Sequence, residues 1–200
     1  MTTAELEDAL HAVGGLLRAE DAHAAVVVVG GASLSLLGLV PRTTRDVDVI
    51  ARVQEPEPDA EPGGNAISGH LVPPDPLPEP LVRAIRTVAR DFGLPAYWMN
   101  TDVALQWRYG LPPALEEELT WRRYDALTVG LVGRGSLIAL KLFAAVDGGP
   151  TGVHFQDLVA LRPTEDELSQ AASWVRTQDA SSVFLQMVGE VVALVREKQR

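Results

Sequence analysis

Two aspartates stand two residues apart in Asp46-Val47-Asp48-Val49-Ile50, with a β-branched residue after each. In a strand, positions i and i+2 project to the same side, so the spacing predicts that Asp46 and Asp48 share one face while Val47 and Val49 enter the core on the other. Two carboxylates held that close are costly unless a cation sits between them, and hard oxygen ligands of this type suit Mg²⁺ carried by a nucleotide. Upstream, Gly30 and Gly31 interrupt an apolar run and Ser33 follows. Paired glycines let the backbone turn sharply and admit a ligand close to the main chain. The free N–H groups of a helix start favour an anion, most often a phosphate, and Ser33 adds a hydroxyl donor.

The elements around these residues are short and readable. Ala24 to Val29 is wholly apolar and rich in β-branched residues, which predicts a buried strand. Leu34 to Leu39 has the composition of a short helix stopped before Pro41. The expected unit is therefore a strand, a diglycine turn, a helix and a return strand bearing both carboxylates.

Gly30-Gly31-Ala32-Ser33 followed by Arg42-x-Thr44-x-Asp46-Val47-Asp48-Val49 resembles the signature of the nucleotidyltransferase (polymerase-β-like) superfamily. Within it, the chain is most similar to small bacterial proteins related to abortive-infection, toxin-type nucleotidyltransferases. Those proteins tend to carry a later helix with a lysine and an aspartate before a leucine. Leu137-Ile-Ala-Leu-Lys141-Leu-Phe-Ala-Ala145 and Gln156-Asp157-Leu158 look like that pattern, and Leu94-Pro95-x-x-Trp98-Met99-Asn100 looks like a further shared element. The likeness covers the first quarter of the chain well and Leu137 to Leu161 loosely, and the basic residue that relatives place after the lysine helix is missing.

The resemblance implies an α/β (α+β) fold, a nucleotidyltransferase-like mixed sheet flanked by helices with a C-terminal helical layer. It implies that Asp46 and Asp48 bind Mg²⁺, that Gly30, Gly31 and Ser33 hold the phosphates of a nucleoside triphosphate, and that Lys141 and Arg42 neutralise charge developing at the α-phosphorus. Asp157 is either a catalytic or metal carboxylate or a cap that orients neighbouring basic groups, and Asp125 stands where the family often places a third carboxylate. The nucleotidyl group would pass to a hydroxyl on RNA (a tRNA included), on a protein or on a small molecule, and the protein could be the toxin of a toxin–antitoxin pair with an antitoxin as partner. The alternative is a catalytically inactive nucleotide-binding or protein-interaction module of the same fold.

Composition narrows the classes. With 200 residues and 46% hydrophobic content, the chain can bury a real core as one domain with a small helical appendage. A net charge of −10 argues against a surface that grips nucleic acid broadly, though not against a local basic groove. The absence of cysteine excludes disulfides, thiolate zinc sites and cysteine nucleophiles. An acidic start and the lack of a long apolar run predict a cytoplasmic protein without a membrane span. Gly30-Gly31 is not a P-loop, since no Gly-Lys-Ser or Gly-Lys-Thr follows, nor the spaced triple glycine of a dinucleotide fold. Ser33 is not in a nucleophile elbow, because Ser35 stands where that motif needs glycine.

The rest of the chain must frame the site. Residues 1–135 are expected to form the core and 136–200 a helical portion packed on it as one unit. Thr3 to Arg18 is spaced as a helix with Thr3 as N-cap; His11 and His23 are read as surface or packing residues. The proline-rich stretch Gln54 to Pro80 is expected as a long extended loop, a solvated insertion rather than a flap over the metal site. Leu81 to Phe92 is an amphipathic helix with Arg83, Arg86 and Arg90 on what is read as a solvated face, ended by Gly93. The aromatics from Tyr97 to Tyr124 could stack bases but are read as structural. A strand over Leu127 to Val132 precedes helices at Leu137 to Val146, capped by Ser136, at His154 to Leu161, at Thr164 to Arg176, and from Ser181 or Ser182 onward. Lys141, among apolar neighbours, either snorkels past the core edge or reaches a polar site; the resemblance favours the site.

Overall fold

The computed structural model describes residues 1–54 and 69–200. Much of the proline-rich stretch, 55–68, lies outside them. The fold is α/β, a mixed sheet flanked by helices. Strand β1 (Ala24–Val29) is central, and every residue on it from Val26 to Val29 is buried, as its unbroken valine run requires. It pairs antiparallel with β2 (Val47–Gln54) and parallel with β6 (Leu127–Leu131), which forms a hairpin with β5 (Thr120–Tyr124). β3 (His70–Val72) adds to the far side of β2, and the two-residue β4 (Met99–Asn100) runs parallel to the start of β2. β3 lies in the stretch expected to be irregular throughout. It sits at the sheet edge, where a proline-rich neighbourhood is tolerated.

The two faces of the sheet carry separate cores. On one, α1 (Thr3–Ala19) and α3 (Glu79–Phe92) cover Val26, Val28, Val47 and Val49. On the other, α5 (Arg134–Gly148), α6 (Val153–Leu161), α7 (Glu165–Val175) and α8 (Ser182–Lys198) cover Val27, Val29, Ile50 and Ala51. Consecutive residues Ile50 and Ala51 share a face because the register jumps from Val27↔Ala51 to Val28↔Val49, leaving Ile50 as a bulge residue. The indole N–H of Trp107 donates to the Ile50 carbonyl at 2.5 Å and so satisfies the main chain at the bulge.

Several local expectations shift by a turn or less. The N-cap of α1 is Thr2, not Thr3, because Thr2 completes a capping box with Glu5. α5 begins after Gly133, not Ser136, which lies buried inside the helix. α3 starts at Glu79 with Pro80 in its first turn, where the missing N–H costs nothing. The capping box at Thr164 and Glu167 and the left-handed Gly93 stand as expected.

Candidate functional site

The diglycine itself opens α2 (Gly30–Leu36), so the helix starts at the turn and not at Leu34. Gly30 has φ +69°, and a Cβ there would lie 2.6 Å from Asp48 Oδ2. At Gly31 a Cβ would lie 2.6 Å from Thr44 Oγ1. Gly30 is favoured chiefly by its left-handed backbone, with the Asp48 side-chain tip close by, and Gly31 by the approach of Thr44 from the lead-in to β2. The Ser33 side chain turns inward. It is fully buried, and its hydroxyl donates to the Val28 carbonyl at 2.7 Å, closing the turn from inside.

β2 begins at Val47, so Asp46 immediately precedes the strand. Val47 and Val49 enter the α1/α3 core while Asp48 lines a cavity on the α5 side together with Ile50, the alternation read from the sequence. Asp46 does not line that cavity, but it is near enough for its charge to act on Asp48. Burial, with repulsion from Asp46 next, pushes the Asp48 carboxyl up to about 6; Lys141 and the nearby Asn100 amide oppose this, and Asp102 adds to it.

The cavity has a volume of about 560 Å³. Gly30, Asp48, Lys141 and His154 supply polar lining, and Leu137, Leu140, Phe143 and Ala144 of α5 supply an apolar wall. The opposite wall comes from a 3₁₀ turn (Asp102–Leu105) and the single-turn α4 (Gln106–Tyr109). Trp107 ties this wall to β2, and the Gln106 amide donates to Gly110 O at 2.9 Å and to Gln178 Oε1 at 3.0 Å.

Lys141, on α5, is 5% exposed and reaches the polar site instead of snorkelling outward. Its Nζ lies 2.8 Å from Asp157 Oδ2 and 3.4 Å from His154 Nδ1. Arg42 comes from the α2–β2 connection, and its Nη1 lies 2.5 Å from both Asp157 oxygens. Asp157 is 4% exposed and does not line the cavity. Both of its oxygens meet cations, the arrangement that the orienting role would have. Arg42 likewise turns toward Asp157 and does not line the cavity.

Asp125 is elsewhere. It sits at φ 52° in the β5–β6 turn and pairs with Arg18 at 2.8 Å. Because β6 runs parallel to β1 and Leu127 pairs with Ala24, that turn is at the opposite end of β1 from Gly30. Most of the aromatics are structural. Trp98 is fully buried with its N–H on the Ile85 carbonyl, Trp121 lies over Gly130, and Tyr124 packs edge-on against His11. Tyr109, 55% exposed, lines the cavity. On α3, Arg83 pairs with Glu20 and Arg90 with Asp91 on an exposed face.

Residues that the sequence did not single out for the site include His154, Asn100, Asp147 and Gln106. Asn100 had a signal, because it closes the Leu-Pro-x-x-Trp-Met-Asn element and pairs in register with Asp48. His154 had none, since its neighbours in sequence do not show that α6 folds against Lys141.

The residues present fit a nucleotide-borne Mg²⁺. Among the described residues no group of three or more His, Cys, Asp or Glu is placed to hold a metal by itself. A Mg²⁺ that keeps phosphate and water ligands needs only one or two carboxylates, and Asp48, which lines the cavity with Asp46 near enough to act on it, could supply one. No helix of the described residues is long and apolar enough to cross a membrane. Compared with protein-family models, curated proteins and solved structures, the chain matches none.

Proposed function

We propose that the protein is a Mg²⁺-dependent nucleotidyltransferase that moves a nucleotidyl group from a nucleoside triphosphate to a hydroxyl acceptor on RNA or protein, as the toxin of a toxin–antitoxin pair. The observation that carries this reading is Asp48, held against Gly30 at the strand–helix turn and facing a cavity that also contains Lys141. Asp48 and Asp46 would hold the metal, which would neutralise charge on the triphosphate. Lys141, anchored by Asp157, would pair with the phosphates as charge develops. The acceptor oxygen bonds to the α-phosphorus, the bond to the bridging oxygen breaks, and pyrophosphate leaves with the electron pair while the hydroxyl proton passes to solvent. The apolar walls and Tyr109 would seat the base.

A second reading, a nucleotide-binding module without turnover, is favoured by one observation: Asp125, expected as the third carboxylate, lies at the far end of β1. One experiment separates the two. The purified protein is incubated with Mg²⁺, cell RNA and each α-³²P nucleoside triphosphate, beside the Asp46→Asn/Asp48→Asn variant. Label moved to RNA or protein by the wild type alone supports the transferase. Binding of a nucleotide without transfer to any acceptor leaves the module, and absence of both binding and transfer overturns both readings.

A further inference from the structure

His154 opens the first turns of α6 and lines the cavity beside Gly30, Asp48 and Lys141. Its Nδ1 lies 3.4 Å from Lys141 Nζ, and that ammonium is itself fixed by Asp157 at 2.8 Å. An ammonium has donors and no acceptor. A hydrogen bond across this contact needs a lone pair on the ring nitrogen, and in that tautomer the single proton of the neutral ring is on Nε2. No acceptor for that proton is found among the described residues. Protonation of Nδ1 would set an N–H against the ammonium. Burial first, then Lys141 and Arg42, hold the imidazole below its ordinary range against the opposing pull of Asp157.

We infer that His154 is a ligand-binding residue of this cavity, presenting an uncharged Nε2–H donor to an anionic phosphate oxygen next to the Lys141 ammonium. The two side chains divide the work: Lys141 supplies charge, while His154 adds a directional donor without further positive charge in a partly buried site. A hydrogen bond to a charged acceptor is among the stronger ones in proteins. The proposal rests on the nucleotide reading only for the identity of the anion.

The test uses ¹⁵N-labelled full chain at pH 7.5, with the His154 ring signals assigned through His154→Gln, titrated separately with Mg²⁺ plus a non-hydrolysable α,β-methylene triphosphate and with inorganic pyrophosphate. The expected result is an Nε2–H tautomer whose Nε2 resonance moves on addition of the anion. Loss of the donor in His154→Ala should weaken binding about tenfold or more, and His154→Gln, whose amide nitrogen can reach the Nε2 position, should recover most of it. An Nδ1–H tautomer, an imidazolium, or wild-type affinity in His154→Ala overturns the inference even if nucleotide binds. Response to pyrophosphate without nucleotide binding keeps the contact and sinks the nucleotide reading, whereas response to neither anion sinks the contact.

Discussion

Two carboxylates lie close enough to Lys141 to feel its charge, and their electrostatic surroundings are opposite. On the α6 side, Asp157 is buried between Lys141 and Arg42, one carboxylate against two cations. On the β2 side, Asp48 faces the cavity with Asp46 and Asp102 adding negative charge, and its carboxyl is pushed up to about 6. The first arrangement is what a fold does to hold charged groups in place. The second leaves Asp48 partly buried among like charges, with Lys141 only partly offsetting them, which is the kind of perturbation that marks a candidate site. The difference is one of charge balance: Asp157 meets two cations, whereas Asp48 has two further carboxylates near it.

The largest effect should come from breaking the compensated side. Asp157→Asn leaves Arg42 and Lys141 beside a neutral amide, and removal of one partner from a buried ion cluster costs about 3–5 kcal/mol; urea unfolding at pH 7.5 should show that loss. The uncompensated side should respond with the opposite sign. The folded-state pKa of Asp48 is raised above its unfolded value of 3.8, so folding takes up a proton between those values. The resulting penalty is fully present above about pH 6 and vanishes below about pH 4. Asp48→Asn should therefore stabilise the protein by on the order of 2 kcal/mol at pH 7.5 and by almost nothing at pH 4, while abolishing Mg²⁺-nucleotide binding. Thermal melts at the two pH values check the sign, and a stabilisation equal at both would break the comparison.

Gly30→Ala comes next, at about 1–2 kcal/mol, from the left-handed backbone and the approach of Asp48 Oδ2. Placed on an Asp48→Ala background the steric part should disappear, so a double-mutant cycle by urea unfolding should show coupling between the two positions. The smallest effect belongs to Asp125, whose partner Arg18 is well exposed. Asp125→Asn should change stability by less than about 0.5 kcal/mol and leave nucleotide binding untouched by isothermal titration, as a group outside the site must.

The local unit was legible because its signals are short-range. The valine run, the diglycine and the Asp-Val-Asp-Val alternation place Asp48 on one face and Val47 and Val49 on the other by strand geometry alone. Capping residues were readable to within three positions: the cap lies one residue before Thr3 and three before Ser136. Ser33 failed for a different reason: its hydroxyl had a backbone carbonyl within reach at the same turn, and an inward bond satisfied it.

The sequence by itself thus determined the strand–turn–helix, the facing of Asp48 and the lack of any thiol or P-loop chemistry. Only the tertiary structure decided that Asp157 anchors Lys141 and Arg42, that Asp125 sits at the wrong end of β1, and that His154 joins the site. Those outcomes depend on the packing of α6 against α5 and on the parallel pairing of β1 with β6. Periodicity along a chain records which face a residue takes; it carries no record of which distant charge that face will meet.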